Sequence, residues 1–121
     1  MHTSLDNLSV AAERPGFIGR WASMGDHHFA YQSALAGSNL DSMLAAFDDG
    51  ACPVEHWGYV FSGSMRVEFT DGHHEVLSAG DAFHTPPGHR PYMIEDTVLL
   101  QVSRLDEHEQ LLRDVTSKTS L

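Results

Sequence analysis

Cys52, His56, His84 and His89 lie in one short stretch that ends at Pro91. Thiolate sulfur and imidazole nitrogen suit zinc, iron, nickel or copper better than magnesium or calcium, which prefer oxygen. Cys52 and His56 are four residues apart, so on an extended segment both point to one face and Glu55 points to the other. His89 follows Pro86-Pro87-Gly88, a turn that would start a strand and aim its first side chain sharply. Cys52, His56 and His89 are therefore the candidate metal ligands, with His84 in reserve. Three protein ligands and an open position are the pattern of a catalytic site. An ion held there would polarise a carbonyl or acidify a bound water toward a pKa of about 7, and His84, Tyr92 or Tyr31 could shuttle a proton. Zinc would limit the site to Lewis-acid work and iron would admit dioxygen chemistry, with nickel, manganese and copper as alternatives. Taken singly, a buried cysteine is a small apolar filler and a buried histidine a satisfied core group. The expectation is thus spatial: a sulfur from before the central hairpin and imidazoles from either side of it should converge inside one fold.

Two other readings use the same residues. A non-enzymatic module would hold an apolar or aromatic ligand among Trp57, Tyr59, Phe83, Tyr92 and Met93, oriented by histidines. Metal-free acid–base catalysis would use His56, His84 and His89, because imidazole titrates near neutral pH. The pair His73-His74 adjoins Asp71-Gly72 and reads as solvated, whereas one of His27-His28 must face inward if its segment is a strand. The set Trp57, Tyr59 and Phe61 reads as core packing rather than a ligand platform. No phosphate-cradling loop and no G-x-S-x-G elbow is present.

The elements that must position these residues are mostly short strands. "SMRVEFT" alternates, with Met65, Val67 and Phe69 on one side and Arg66, Glu68 and Thr70 on the other. Asp71-Gly72 is a hairpin turn and "HHEVLS" its partner strand. "AFHT", "HRPYMIE" and "TVLLQVS" continue the series after turns at Ala79-Gly80-Asp81 and Pro86-Pro87-Gly88. "VEHWGYVF" is apolar or aromatic on both faces and predicts a strand buried on both sides; "FIGRWAS" and "HHFAYQSAL" predict two more. Residues 37–47 form a helical turn or an irregular loop, with Ser38 or Asn39 as caps. Residues 105–121 form an amphipathic helix and tail, with Leu105, Leu111, Leu112 and Val115 on one face and an acidic start. Residues 1–15 show no useful periodicity and predict a poorly ordered or peripheral arm, which leaves 16–104 as the barrel. Strands at about ten-residue spacing, split by Gly, Pro and Asp, predict an all-β sandwich or jelly roll.

Composition narrows the class. A chain of 121 residues, 41% hydrophobic, suits one packed domain. Net charge is −10 with only seven Lys and Arg, which argues against nucleic acid and anionic membrane surfaces as partners. No apolar run approaches the roughly 20 residues that span a bilayer, and the first residues lack a signal-peptide pattern. A single cysteine cannot form an internal disulfide. The expectation is a soluble, cytoplasmic protein.

Residues 40–104 resemble a cupin. That family carries the motifs G-x5-H-x-H-x3-E-x6-G and G-x5-P-x-G-x2-H-x3-N on a small double-sheet barrel. Counting back from Gly63, His56 takes the glutamate position, Cys52 the second histidine position, Gly50 the first and Leu44 that of the opening glycine. In the second motif Gly80, Pro86 and Gly88 match, Pro91 and Glu95 replace the histidine and asparagine, and His89 lies two residues earlier on the same strand face. The resemblance implies a double-stranded β-helix, a divalent metal, a small organic ligand or substrate, and a homodimer. Isomerase, cyclase, decarboxylase and dioxygenase chemistries all occur on this fold, as does ligand binding without a metal, and fold does not choose among them.

Overall fold

The computed structural model describes residues 1–119; positions 120 and 121 of the expected tail lie outside the described residues. Nine strands run in chain order: β1 Val10–Arg14, β2 Phe17–Met24, β3 His27–Ala34, β4 His56–Ser62, β5 Ser64–Phe69, β6 His74–Ser78, β7 Ala82–Thr85, β8 His89–Met93 and β9 Thr97–Arg104. A short helix α1, Asp41–Leu44, separates β3 from β4, and α2, Leu105–Thr119, follows β9 directly. The strands form a six-stranded sheet, ordered β1-β2-β3-β9-β4-β7, and a three-stranded sheet, ordered β6-β5-β8. The last strand inserts between β3 and β4, antiparallel to both, so closure depends on contacts between distant parts of the chain. This is the all-β jelly-roll barrel with a C-terminal helix that the strand spacing predicts.

Alternation decides what faces the core. Met65, Val67 and Phe69 on β5 are buried and meet Ala34, Val60, Leu77, Met93 and Leu99 in the main apolar cluster. A second cluster of Leu44, Cys52 and Val54 is covered by Leu40, Met43, Phe47 and Leu111. It ties α1, the segment before β4 and α2 to one another, at the end of the barrel where the histidines lie.

Three expectations change. β4 is not buried on both faces: His56 and Val60 point in, whereas Trp57, Tyr59 and Phe61 are exposed on the outer face of the large sheet. The strand has period-two alignment, but its outward residues happen to be aromatic, and hydrophobicity alone cannot separate the two cases. The N-terminal arm is peripheral yet paired, because β1 forms the edge of the large sheet through β2. Its register shifts between Val10 and Ala12, which removes the alternation that would announce a strand. Residues 37–47 do contain a helical turn, but Leu40 is at the cap position and Asn39 instead accepts a hydrogen bond from the Asp41 amide at 2.9 Å.

Gly63 makes the β4–β5 connection with φ of +85°, and a Cβ there would lie 2.1 Å from the Asp96 carbonyl oxygen. Gly72 in the β5–β6 turn has a similar φ of +96° but open space around it. Gly63→Ala should therefore cost about 3 kcal/mol or more, and Gly72→Ala only the ~1–2 kcal/mol of left-handed backbone strain. Urea denaturation of the two variants side by side checks this; equal losses would mean that the close approach at Gly63 is not there.

Candidate metal centre

Cys52 lies outside the named strands but forms an isolated antiparallel bridge with His89. The Cys52 amide donates to the His89 carbonyl at 2.7 Å, and the Gly88 amide donates to the Cys52 carbonyl at 2.8 Å. Gly88 permits this approach with φ of +92°, its α-carbon facing Thr70. His89 opens β8 and His56 opens β4, where it pairs with Thr85 of β7. The four residues from Cys52 to His56 are thus not one continuous strand. Their common direction comes from the Cys52–His89 bridge on one side and the start of β4 on the other.

The result is a cluster. One ligand atom each from Cys52, His56 and His89 lies within 4.8 Å of the others, and all three residues are buried. Cys52 Sγ is 3.6 Å from His56 Nε2. Tetrahedral zinc with Zn–S near 2.3 Å and Zn–N near 2.1 Å needs an S···N edge of roughly 3.6 Å. His89 Nδ1 lies 2.8 Å from the Pro86 carbonyl oxygen, which can only accept. Nδ1 therefore carries the proton, and Nε2 keeps its lone pair for a ligand. The turn that starts β8 thus also orients the imidazole.

Burial makes these groups neutral without an ion. It pushes the Cys52 thiol up to about 11. It brings His56 down to about 3, helped by the neighbouring His89, His108 and His28 rings. His89 is lowered by burial in spite of its bond to Pro86. His56 Nδ1 has no hydrogen-bond partner among the described residues. A thiol, two neutral imidazoles and an unpaired buried nitrogen form an expensive group of polar atoms to enclose. A divalent cation reverses that cost, since it stabilises the thiolate and takes the imidazole lone pairs. The donor set fits a transition metal.

The cluster borders two adjoining cavities inside the barrel, of about 40 Å³ and about 150 Å³. Phe17, Gln32, Leu40, Cys52, His56 and Gln101 line both. Phe83 reaches the same space from β7, its ring 2.4 Å from where a Cβ of Gly58 would stand. Gly58 is thus needed where Phe83 crosses β4.

The residues expected to shuttle protons lie elsewhere. His84 is exposed on the outer face, with Nε2 2.7 Å from Glu55 Oε2 and its ring stacked on Trp57. Phe83 and Thr85 on either side of it point inward, so β7 alternation turns His84 out. Tyr31 is turned out by the same rule, between Ala30 and Gln32, and stacks on Phe61. Tyr92 is 46% exposed between inward Pro91 and Met93. Of the residues expected to hold a ligand, Phe83 and Met93 line the cavity, while Trp57, Tyr59 and Tyr92 face outward. His73 beside the hairpin turn is exposed and paired with Asp71.

Other residues also turn inward, one of them from the pair expected to send a histidine to the interior. Of His27-His28 it is His28 that turns in, 5% exposed. Its ring stacks on His108 of α2 at 3.5 Å between centroids, and Trp21 meets both edge-on. His108 lies three residues from Leu105 and Leu111 and four from Leu112, hence on the apolar face of α2, and that spacing is the signal that identifies it. Gln32 and Gln101 carry no such signal, since each is one polar residue on a strand.

The cupin domain family matches residues 53–97. Solved structures agree with the fold over more of the chain. A cupin from Shewanella frigidimarina described as RmlC-like is 18% identical, over 84% of this chain and 87% of that one, with a TM-score of 0.62. KdgF from a Halomonas species is 21% identical, over 84% and 89%, with a TM-score of 0.63. The polyketide cyclase RemF from Streptomyces resistomycificus is 14% identical, over 87% and 79%, with a TM-score of 0.64. No curated protein matches the sequence. The match spans 45 of the 121 residues, and what the solved structures share with this chain is the barrel fold.

The neutral histidines impose a pH dependence on the metal-free protein. An unfolded chain protonates His56 near 6.5, whereas the folded one resists until about 3. The unfolded state binds more protons across that window, so this contribution is complete above it and is lost as pH falls through it. His28, lowered to about 4, has the same sign. Each such histidine adds a slope of about 1.4 kcal/mol per pH unit. Urea midpoints should drop as pH falls below about 6.5, and His56→Asn should remove one proton from that slope. Identical pH profiles for the two proteins would contradict the burial of His56.

Proposed function

We propose that this cupin binds one divalent transition metal through Cys52, His56 and His89 and acts on a small organic molecule in the adjoining cavity. The observation that carries this reading is the meeting of the three donors beside a cavity, with the His89 tautomer set by Pro86. Zinc and iron suit a sulfur–nitrogen set best, with nickel, manganese and copper as alternatives. When bound, the ion supplies a Lewis acid facing the cavity. The chain's own residues do the rest. Cys52 and His89 are held by their backbone bridge, so neither has to reorganise when it binds. Gln32 and Gln101 line both cavities and offer amide donors and acceptors to a ligand. The family's neighbours include a named cyclase and oxalate decarboxylases, so isomerase, cyclase, decarboxylase and dioxygenase chemistries all remain within this reading. The free Cys52 thiol suits a reducing, cytoplasmic setting. No described helix is long and apolar enough to cross a membrane.

Elemental analysis of protein made without metal supplementation should find close to one transition metal per chain, and Cys52→Ala or His56→Ala should leave less than ~0.1. Cobalt loading gives a second readout: a thiolate-to-cobalt absorption band that Cys52→Ala abolishes. Protein that neither carries nor takes up an ion supports the alternative, a metal-free ligand-binding cupin.

A homodimer is proposed on separate grounds. Trp57, Tyr59 and Phe61 leave 38%, 40% and 47% of their surface exposed in one outward row of β4. With Tyr31 stacked on Phe61 they make an apolar outer face that the same face of a second copy could cover. Sedimentation should show a dimer that Tyr59→Glu with Phe61→Glu converts to a monomer; a monomeric wild-type protein at high micromolar concentration would refute it.

A further inference from the structure

The larger cavity touches more than the metal cluster. Cys52 and His56 line it, and so do His28, Ser103, Trp21 and His108. His28 is 5% exposed, and its Nε2 has no hydrogen-bond partner among the described residues. Such a nitrogen has lost water and gained nothing in return, which in a native fold points to a missing partner. Its other constraints are all met. β3 alternation turns the ring inward, Ser103 of β9 lies opposite it in the ladder, and His108 and Trp21 fix its plane. Two imidazoles stacked at 3.5 Å and 9° cannot both carry a proton without strong repulsion. Burial and the His108 ring hold His28 at a pKa of about 4, so at neutral pH it presents one N–H and one lone pair.

The walls define what could meet it. Phe17, Met43, Leu111 and Trp21 are apolar. Arg14 is the one cation among the lining residues, and it belongs to the exposed edge strand. A buried carboxylate would therefore face neutral rings inside an acidic protein. A hydroxyl or enol oxygen on an uncharged, apolar or aromatic body suits the site better, because neutral imidazole bonds it without any charge being buried. We infer that His28 is a hydrogen-bonding subsite for such an oxygen, held in place by His108, so that the C-terminal helix belongs to the ligand site. This rests on the reading that the cavity takes a small organic molecule, and it holds with or without a bound metal. His28 would anchor one end of the ligand while the rest extends toward the Cys52, His56 and His89 cluster. His108 acts here as a positioning residue.

Phenol is the probe, with toluene as the control that lacks the oxygen. Metal-free protein is titrated with each, and the side-chain nitrogens of the histidines are followed by long-range nitrogen–proton NMR. Phenol should bind saturably, move the His28 Nε2 resonance, and bind at least about tenfold tighter than toluene, the size of one buried hydrogen bond. His28→Phe should abolish that preference. His108→Ala should weaken it, and His108→Phe, which can preserve the ring stack, should restore it. The metal content of the wild-type protein is read separately by elemental analysis, whereas the phenol titration uses metal-free protein, so a failed metal site and a failed subsite give different results. Should His28→Phe not fold, the wild-type His28 resonance decides alone. No phenol binding, binding without a His28 shift, or equal affinity for toluene would each overturn the inference.

Discussion

The bridge between Cys52 and His89 is the constraint on which the site depends. Two backbone hydrogen bonds, at 2.7 and 2.8 Å, join a loop before the central hairpin to the strand after it. They need Gly88 in a left-handed conformation, and they place a sulfur beside an imidazole without any attraction between the side chains. Side-chain donors therefore inherit their positions from main-chain geometry. Such a site is preorganised: the rotameric freedom that a ligand would otherwise have to freeze is already gone. The same Pro-Pro-Gly turn supplies the Pro86 carbonyl that sets the His89 tautomer. One short turn thus contributes strand direction, loop anchorage and ligand protonation state.

Strand parity then sorts the remaining residues into two populations. Inward positions on β3, β4, β7, β8 and β9 carry His28, His56, Thr85, His89 and Ser103, a polar lining at one end of an otherwise apolar barrel. Outward positions carry His84, Tyr31, Tyr92 and the β4 aromatics. His84 and Glu55 pair in solvent rather than in the cavity, where a carboxylate would have stabilised an imidazolium. The interior instead keeps its histidines neutral, and neutral imidazole is both the metal-binding form and the form that can donate and accept at once.

The C-terminal helix is more than an appendage. Leu111 covers the cluster that contains Cys52, and His108 meets His28 and Trp21, so α2 closes the polar end of the barrel with apolar and aromatic contacts. An acidic first turn, Asp106 and Glu107, matches the helix dipole, and the Leu105 amide at the junction with β9 donates to the Asp26 carbonyl at 2.9 Å.

Local chemistry was readable from residue order. The β5–β6 hairpin follows from alternation plus Asp71-Gly72, and the jelly-roll class follows from strand spacing and turn residues. The residue types at Cys52, His56 and His89 already favoured a transition metal over calcium or magnesium, because donor softness belongs to the side chain and not to the fold. Folding decided the rest. Which face of β4 is wet, whether His84 or His28 points inward, and that His108 reaches a residue eighty positions earlier all depend on the insertion of β9 between β3 and β4. Pairings between distant segments leave no local periodicity for a sequence to display, so only the closed barrel could bring the three donors to one point.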